Sequence, residues 1–135
     1  RNAVKADVDT DEDLANLCSL GCGVQTGAGA VLNCIKPKKG SSIAVFGCGG
    51  VGMSAIMAAA IAGCSTIIGI DVVPARLELA KELGATHVIN SKETDAVAEI
   101  KKITGGGAHN SVESAGVANV TLQALGCLRR EGTAV

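Results

Sequence analysis

The six residues Gly47-Cys48-Gly49-Gly50-Val51-Gly52 have the spacing G-x-G-x-x-G, which serves to hold a phosphate against bare main chain. Gly47 permits a tight turn off a strand, Gly49 has no Cβ to keep a pyrophosphate away from the backbone, and Gly52 lets a following helix lie against the strand. A helix beginning near Gly50 also turns unpaired N–H groups and the positive end of its dipole toward the phosphates. Asp71 follows Gly52 by nineteen positions. A carboxylate there, at the end of the next strand, accepts both hydroxyls of an adenosine ribose and repels a 2′-phosphate. Glycine spacing, context and acid together predict a dinucleotide site that takes NAD rather than NADP. Arg76, early in the next helix, is a further candidate for the ribose. The plainer alternative makes Asp71 an ordinary strand-end cap, the glycines ordinary turn residues and Arg76 a surface side chain beside Glu78.

These groups need a strand, a glycine turn and a helix in that order, and the sequence predicts all three. Residues 42–46 read as a short apolar strand. Residues 51–62 are apolar nearly all round, hence a buried helix whose alanines let it lie close to a sheet. Residues 66–70 form a β-branched second strand ending at Asp71. Pro74 suits the first turn of a helix over 75–83, which Gly84 closes. A third strand is expected over 87–90, and a third helix over 95–103 stopped by Gly105-Gly106-Gly107. A fourth strand follows over 111–114, a fourth helix over 119–128 and the start of a fifth strand over 133–135.

Ahead of this series, Thr10 followed by Asp11, Glu12 and Asp13 predicts a helix N-terminus, with a short helix through Leu17. Leu20-Gly21-Cys22-Gly23 is too rich in glycine to continue it, and residues 24–35 read as a second helix ended before Pro37. Strands alternating with helices imply a parallel sheet with right-handed crossovers, the doubly wound α/β class of the Rossmann dinucleotide-binding fold. Residues 1–40 are assigned to a connecting segment with helices that leads out of a missing catalytic domain. Residues 41–135 are assigned to the NAD-binding domain, expected to be truncated in its fifth strand. A piece of a longer protein is expected, since the sequence does not begin with Met.

Composition removes several other functions. The 135 residues carry 12 Lys and Arg against 13 Asp and Glu, a net charge of −1, so nothing offers an electrostatic footprint for nucleic acid or an anionic membrane. Phe46 is the single aromatic residue, too few for a base-stacking platform. Residues 40–70 hold no charge, long enough to cross a bilayer, but their glycines divide them into strand, turn, helix, turn and strand. Six cysteines without repeated spacing and no signal peptide point to reduced thiols in a cytoplasmic protein. Cys34, Cys64 and Cys127 read as small buried hydrophobes, and Cys48 is given no chemistry. His87 opens a strand and His109 sits in a glycine-rich loop; neither has metal-ligand spacing.

Three segments, taken in order, carry a resemblance. They are Gly21-Cys22-Gly23-Val24-Gln25-Thr26-Gly27-Ala28-Gly29-Ala30-Val31-Leu32-Asn33, then Ser42-Ile43-Ala44-Val45-Phe46 with the glycine motif, then Arg76-Leu77-Glu78-Leu79-Ala80-Lys81-Glu82-Leu83-Gly84-Ala85-Thr86-His87-Val88-Ile89-Asn90. Over nearly its whole length the chain resembles the coenzyme domain of the zinc-dependent medium-chain alcohol dehydrogenases. Residues 23–29 are most similar to the aryl-alcohol (benzyl alcohol) dehydrogenase branch. The resemblance implies that Cys22 is a ligand of the catalytic zinc, the other Cys and His coming from a preceding domain. It implies that Thr26 lies beside the nicotinamide and that Val51 packs against its ring. The implied reaction oxidises a primary, aromatic alcohol to the aldehyde by hydride transfer to NAD, with zinc lowering the pKa of the bound alcohol.

The resemblance also shows what these residues lack: the remaining catalytic zinc ligands, the proton relay and the four-cysteine lobe of a structural zinc. This chain by itself is therefore expected to bind NAD(H) weakly, to hold no stoichiometric zinc and to oxidise no alcohol. The full-length protein is expected to be a homo-oligomer whose partner is a small-molecule alcohol or aldehyde. Two alternatives stand beside this. A zinc-free quinone oxidoreductase-type reductase needs neither the thiolate of Cys22 nor the acid of Asp71. A non-catalytic NAD-sensing module would not be preceded by a domain bearing zinc ligands.

Overall fold

The computed structural model describes residues 5–135, so the first four residues of the expected connecting segment lie outside the described residues. Five strands form one parallel sheet: β1 (Ser42–Phe46), β2 (Thr66–Asp71), β3 (His87–Asn90), β4 (Ala108–Glu113) and β5 (Leu128–Ala134), in the order β3-β2-β1-β4-β5. Chain direction reverses its spread across the sheet between β1 and β4, the switch point at which open α/β sheets bind ligands. Central β1 is buried throughout. Its alternate side chains feed two cores, as the two-residue period of a strand requires. Ile43 and Val45 face Ala55, Ile56, Ala59 and Leu77, while Ala44 and Phe46 face Ile100, Ala108 and Ala124.

Helices α3 (Gly50–Ile61) and α4 (Pro74–Glu82) supply the first of those cores, and α5 (Ala96–Thr104) and α6 (Ala118–Gly126) the second. The layers are therefore helix, sheet, helix. Asp95 caps α5 by accepting from the N–H groups of Val97 and Ala98, and Gly105 ends it in the left-handed region at φ 64. The uncharged stretch 40–70 is divided among β1, α3 and β2, and no helix among the described residues is long and apolar enough to cross a membrane.

Three expectations need correction. Helix α1 (Asp11–Leu17) starts at Thr10, whose Oγ1 accepts from the N–H of Asp13 at 3.1 Å. The glycines after it do not break the helical path, however: a π-helical segment (Leu20–Val24) runs into α2 (Gln25–Gly29) and a second π-helical segment (Ala30–Ile35). The cost of glycine in a helix, about 1 kcal/mol each relative to Ala, is offset by packing of Ala28, Val31 and Ile35 on the core beside α3. Second, β4 begins at Ala108 and β5 at Leu128, both several residues ahead of expectation. His109 is thus a strand residue. Third, Cys34 is exposed, because Val31 is the residue of its segment that turns inward; Cys64 is half-buried and Cys127 buried.

Candidate functional site

The glycine turn leaves β1 at its carboxyl end. Gly47 has φ +88, and its N–H donates to the carbonyl of Ile70 at 2.8 Å, pinning the turn to β2. Ser114, just past β4, donates from Oγ to the carbonyls of both Phe46 and Gly47 at 2.9 Å. A Cβ on Gly52 would stand 1.8 Å from the Gly47 carbonyl oxygen, so only glycine lets α3 start this close to the turn. Gly49 and Gly50 differ. Neither would bring a Cβ within 4 Å of any atom, and Gly49 at φ −84, ψ −168 has a backbone open to every residue type. Their missing side chains answer no need inside the chain. They leave bare main chain at the first turn of a twelve-residue helix whose first N–H groups have no partner within the helix.

Asp71 ends β2 beside this turn with 5% of its side chain exposed. Its Oδ2 accepts from the N–H of Cys48 at 2.7 Å, and its Oδ1 accepts from Val72 at 2.7 Å and Val73 at 2.9 Å. A carboxylate has about four acceptor positions, so one remains, on Oδ2. Arg76 lies 3.7 Å from that oxygen, while Glu78 pairs with Lys81 instead. Burial pushes the Asp71 pKa up. The N–H groups of Cys48, Val73 and Val72, together with Arg76, outweigh it and hold the carboxyl below its ordinary value. The Cys48 thiol is buried next to this anion and pushed up to about 12, first by burial and then by Asp71.

Between the carboxyl ends of β1, β2 and β4 lies a cleft of about 340 Å³, with Phe46, Ile70, Val72, Val117 and Val120 among its walls and Asp71 among its polar lining residues. An apolar slot with one oriented anion suits a flat heterocycle joined to a sugar. Sequence reasoning did not single out these wall residues. Phe46 was visible only as the lone ring of the composition, and Val117 and Val120 come together with the rest only through β4 and α6.

The helical run that precedes the sheet crosses α3 at Gly27, where a Cβ would stand 2.0 Å from the carbonyl oxygen of Val51 and 2.9 Å from Cβ of Ser54. Val51 at the start of α3 is partly buried, and Thr26, the residue before Gly27, is exposed. Cys22 is exposed on the same run, four residues earlier. Among the described residues no group of three or more His, Cys, Asp or Glu side chains is arranged to hold a metal ion. The donors present here do not make up a zinc site, and Cys22 offers one thiol.

Comparison with known proteins agrees with this geometry. The family model described as zinc-binding dehydrogenase matches residues 50–135. The chain belongs to the zinc-binding dehydrogenase family. Among solved zinc-binding dehydrogenases and their kin, it is similar to an alcohol dehydrogenase zinc-binding domain protein from Burkholderia ambifaria, at 57% identity and TM-score 0.86 over 88% of this chain and 32% of that one. It is also similar to the benzyl alcohol dehydrogenase of Acinetobacter calcoaceticus, at 49% identity and TM-score 0.89 over 97% of this chain and 36% of that one. Alcohol dehydrogenase 2 of Zea mays is 42% identical over 125 residues, 91% of this chain and 33% of the relative. The chain thus spans about a third of the length of these relatives.

Proposed function

We propose that this zinc-binding dehydrogenase chain is the NAD-holding part of an enzyme that oxidises a primary, aromatic alcohol to its aldehyde. The observation that carries the reading is the pair Gly49 and Gly50, glycines that neither backbone angle nor packing requires, at a helix start beside a buried carboxylate. Main-chain N–H groups of residues 49–51 hold the pyrophosphate. Asp71 takes a ribose hydroxyl on its remaining acceptor position and sets a negative charge where NADP would bring its 2′-phosphate. Arg76 lies against the same sugar. The apolar cleft beside Phe46, Val72 and Val120 receives the adenine.

Thr26 and Val51 border the nicotinamide, whose ring supplies the hydride acceptor once the coenzyme is bound. Val51, on the first turn of a buried helix, fixes one face of the ring and keeps water from it. Cys22 is a zinc ligand whose partners lie outside this chain. The aromatic preference is supported by the benzyl alcohol dehydrogenase likeness and by residues 23–29. The alcohol dehydrogenase relatives favour this reading over a zinc-free quinone reductase or an NAD-sensing module.

Cofactor choice tests it. In the intact enzyme, replacing Asp71→Ser is expected to weaken NAD and to relieve the exclusion of NADP, changing their relative affinity by about tenfold to a hundredfold, or about 1.4–2.8 kcal/mol. An unchanged ratio of kcat/KM for NAD and NADP contradicts the role given to Asp71.

A further inference from the structure

A second cavity, of about 390 Å³, lies on the opposite edge of the sheet, at the amino ends of β1 and β4. Open α/β sheets bind their coenzymes outside the carboxyl ends of the strands, so this cavity is separate from the NAD site. Lys36, Lys38, His109, Arg129, Arg130 and Glu131 are among its lining residues. The backbone is shaped to bring them there. Between the pairs Ala108↔Leu128 and Asn110↔Thr133, β4 advances by two residues and β5 by five, so residues 129–132 leave the ladder. Among the described residues, the two non-glycine residues in the left-handed region are Lys36 (φ 50) and Glu131 (φ 64), and both line this cavity. Strain of that kind is held in place by its surroundings and gathers at sites of function.

The polar groups are unmatched. Among the described residues no ion pair engages Lys36, Lys38, Arg129 or Arg130, against which the lining sets one carboxylate, Glu131. The imidazole of His109 makes the mismatch specific. The backbone N–H of Ser42 donates to its Nδ1 at 3.1 Å, and Oγ of Ser42 lies 2.7 Å from the same nitrogen. A ring nitrogen that accepts an N–H carries no proton, so the neutral ring is protonated on Nε2. Burial, and then Arg129, hold the pKa of His109 below the ordinary imidazole value, which favours that neutral form. Yet Nε2 faces Nη1 of Arg129, and a guanidinium can only donate. The two nitrogens stand in direct contact, 2.5 Å apart, and with the ring protonated on Nε2 they oppose one another as donors, with cations around them and no carboxylate partner among the described residues.

We propose that this cavity binds a phosphate dianion, either the free ion or the terminal group of a small phosphate monoester, with one oxygen accepting from Nε2–H of His109 and from Arg129. A tetrahedral dianion has further oxygens to reach Arg130 and the two lysines, which a planar carboxylate lacks. A fork of guanidinium donors is the geometry that recognises such oxygens. The cavity volume of about 390 Å³ leaves room for carbon atoms on the ester.

The test is a titration of the intact enzyme, saturated with NAD to occupy the pyrophosphate site, at constant ionic strength. The probes are inorganic phosphate, glycerol phosphate and acetate, followed through the imidazole NMR resonances of His109. A saturable shift with either phosphate probe and none with acetate is expected. The tighter of the two phosphate probes identifies the free ion or the monoester as the natural class. Arg129→Gln is expected to weaken the binding about tenfold and the exposed Lys38→Gln about threefold, both with NAD affinity and melting temperature unchanged. A shift that does not saturate, an equal response to acetate, or an affinity indifferent to both substitutions overturns the proposal.

Discussion

A Cβ on Gly52 would stand 1.8 Å from a backbone oxygen, and a Cβ on Gly49, three residues earlier, would meet nothing within 4 Å. The two glycines of one motif therefore answer to different demands. Gly52→Ala is expected to destabilise the fold by about 1–3 kcal/mol, the usual cost of forcing atoms into a packed place, as read from denaturant unfolding. Asp71 joins both demands in one side chain. Its carboxylate closes the hydrogen bonds of Cys48, Val72 and Val73 before any ligand arrives, so the residue proposed as ribose acceptor is also the plain strand-end cap. Its folded-state pKa lies below the unfolded value of 3.8. The stabilisation it gives is thus complete above that pH and is lost as pH falls through the folded pKa. Thermal melts of the wild type are expected to weaken below about pH 4, and Asp71→Asn, which has no charge to lose, is expected to show a shallower decline over that window. Equal slopes would contradict the ionised state assigned to Asp71.

Elements were legible where local chemistry and tertiary packing agree. The Thr10 cap, Pro74 at the start of α4 and the Gly105 stop each mark their helix in the sequence as they do in the fold. The buried apolar strands β1 and β2 are as plain. The sequence Ala108-His109-Asn110 gives no β-branched signal, and its strand character comes from pairing with β1, Ile43 against Asn110. The helical path through Gly21 and Gly23 was hidden for the opposite reason: low local propensity is overridden by packing on α3. That packing is testable at the crossing itself. Gly27→Ala would put a Cβ 2.0 Å from the carbonyl oxygen of Val51. The helical run must then move off α3, lowering stability by about 1–3 kcal/mol and displacing Thr26 and Cys22 from the glycine turn. In the intact enzyme we expect a lower melting temperature and a loss of alcohol-dependent NADH formation. A variant with unaltered activity would separate those two residues from the nicotinamide.

At the scale of the whole molecule, one sheet presents two different edges. Its carboxyl edge gathers the turn, Asp71 and the apolar cleft; its amino edge gathers the cations around His109. The chain's share of relatives three times its length explains why the site is one-sided: a platform and the exposed thiol of Cys22, with no group of metal donors among the described residues. The glycine motif and Asp71 were readable because their chemistry is local in sequence. The walls of the cleft were not, because Phe46, Val72 and Val120 are neighbours only once the crossovers are made. Zinc content follows from the same one-sidedness. The chain alone, dialysed against zinc, is expected to retain less than one ion per molecule by elemental analysis, and one tightly held zinc would contradict the account of Cys22.

The most direct measurement is a calorimetric titration of the intact enzyme and its Gly49→Ala variant with NAD, alongside their melting temperatures. The account predicts one NAD per chain for the wild type. It predicts an affinity at least about tenfold lower for the variant, about 1.4 kcal/mol or more, with no change in melting temperature. Equal affinity in the two proteins, or no heat of NAD binding in either, would show that the main chain at residues 47–52 does not receive the coenzyme.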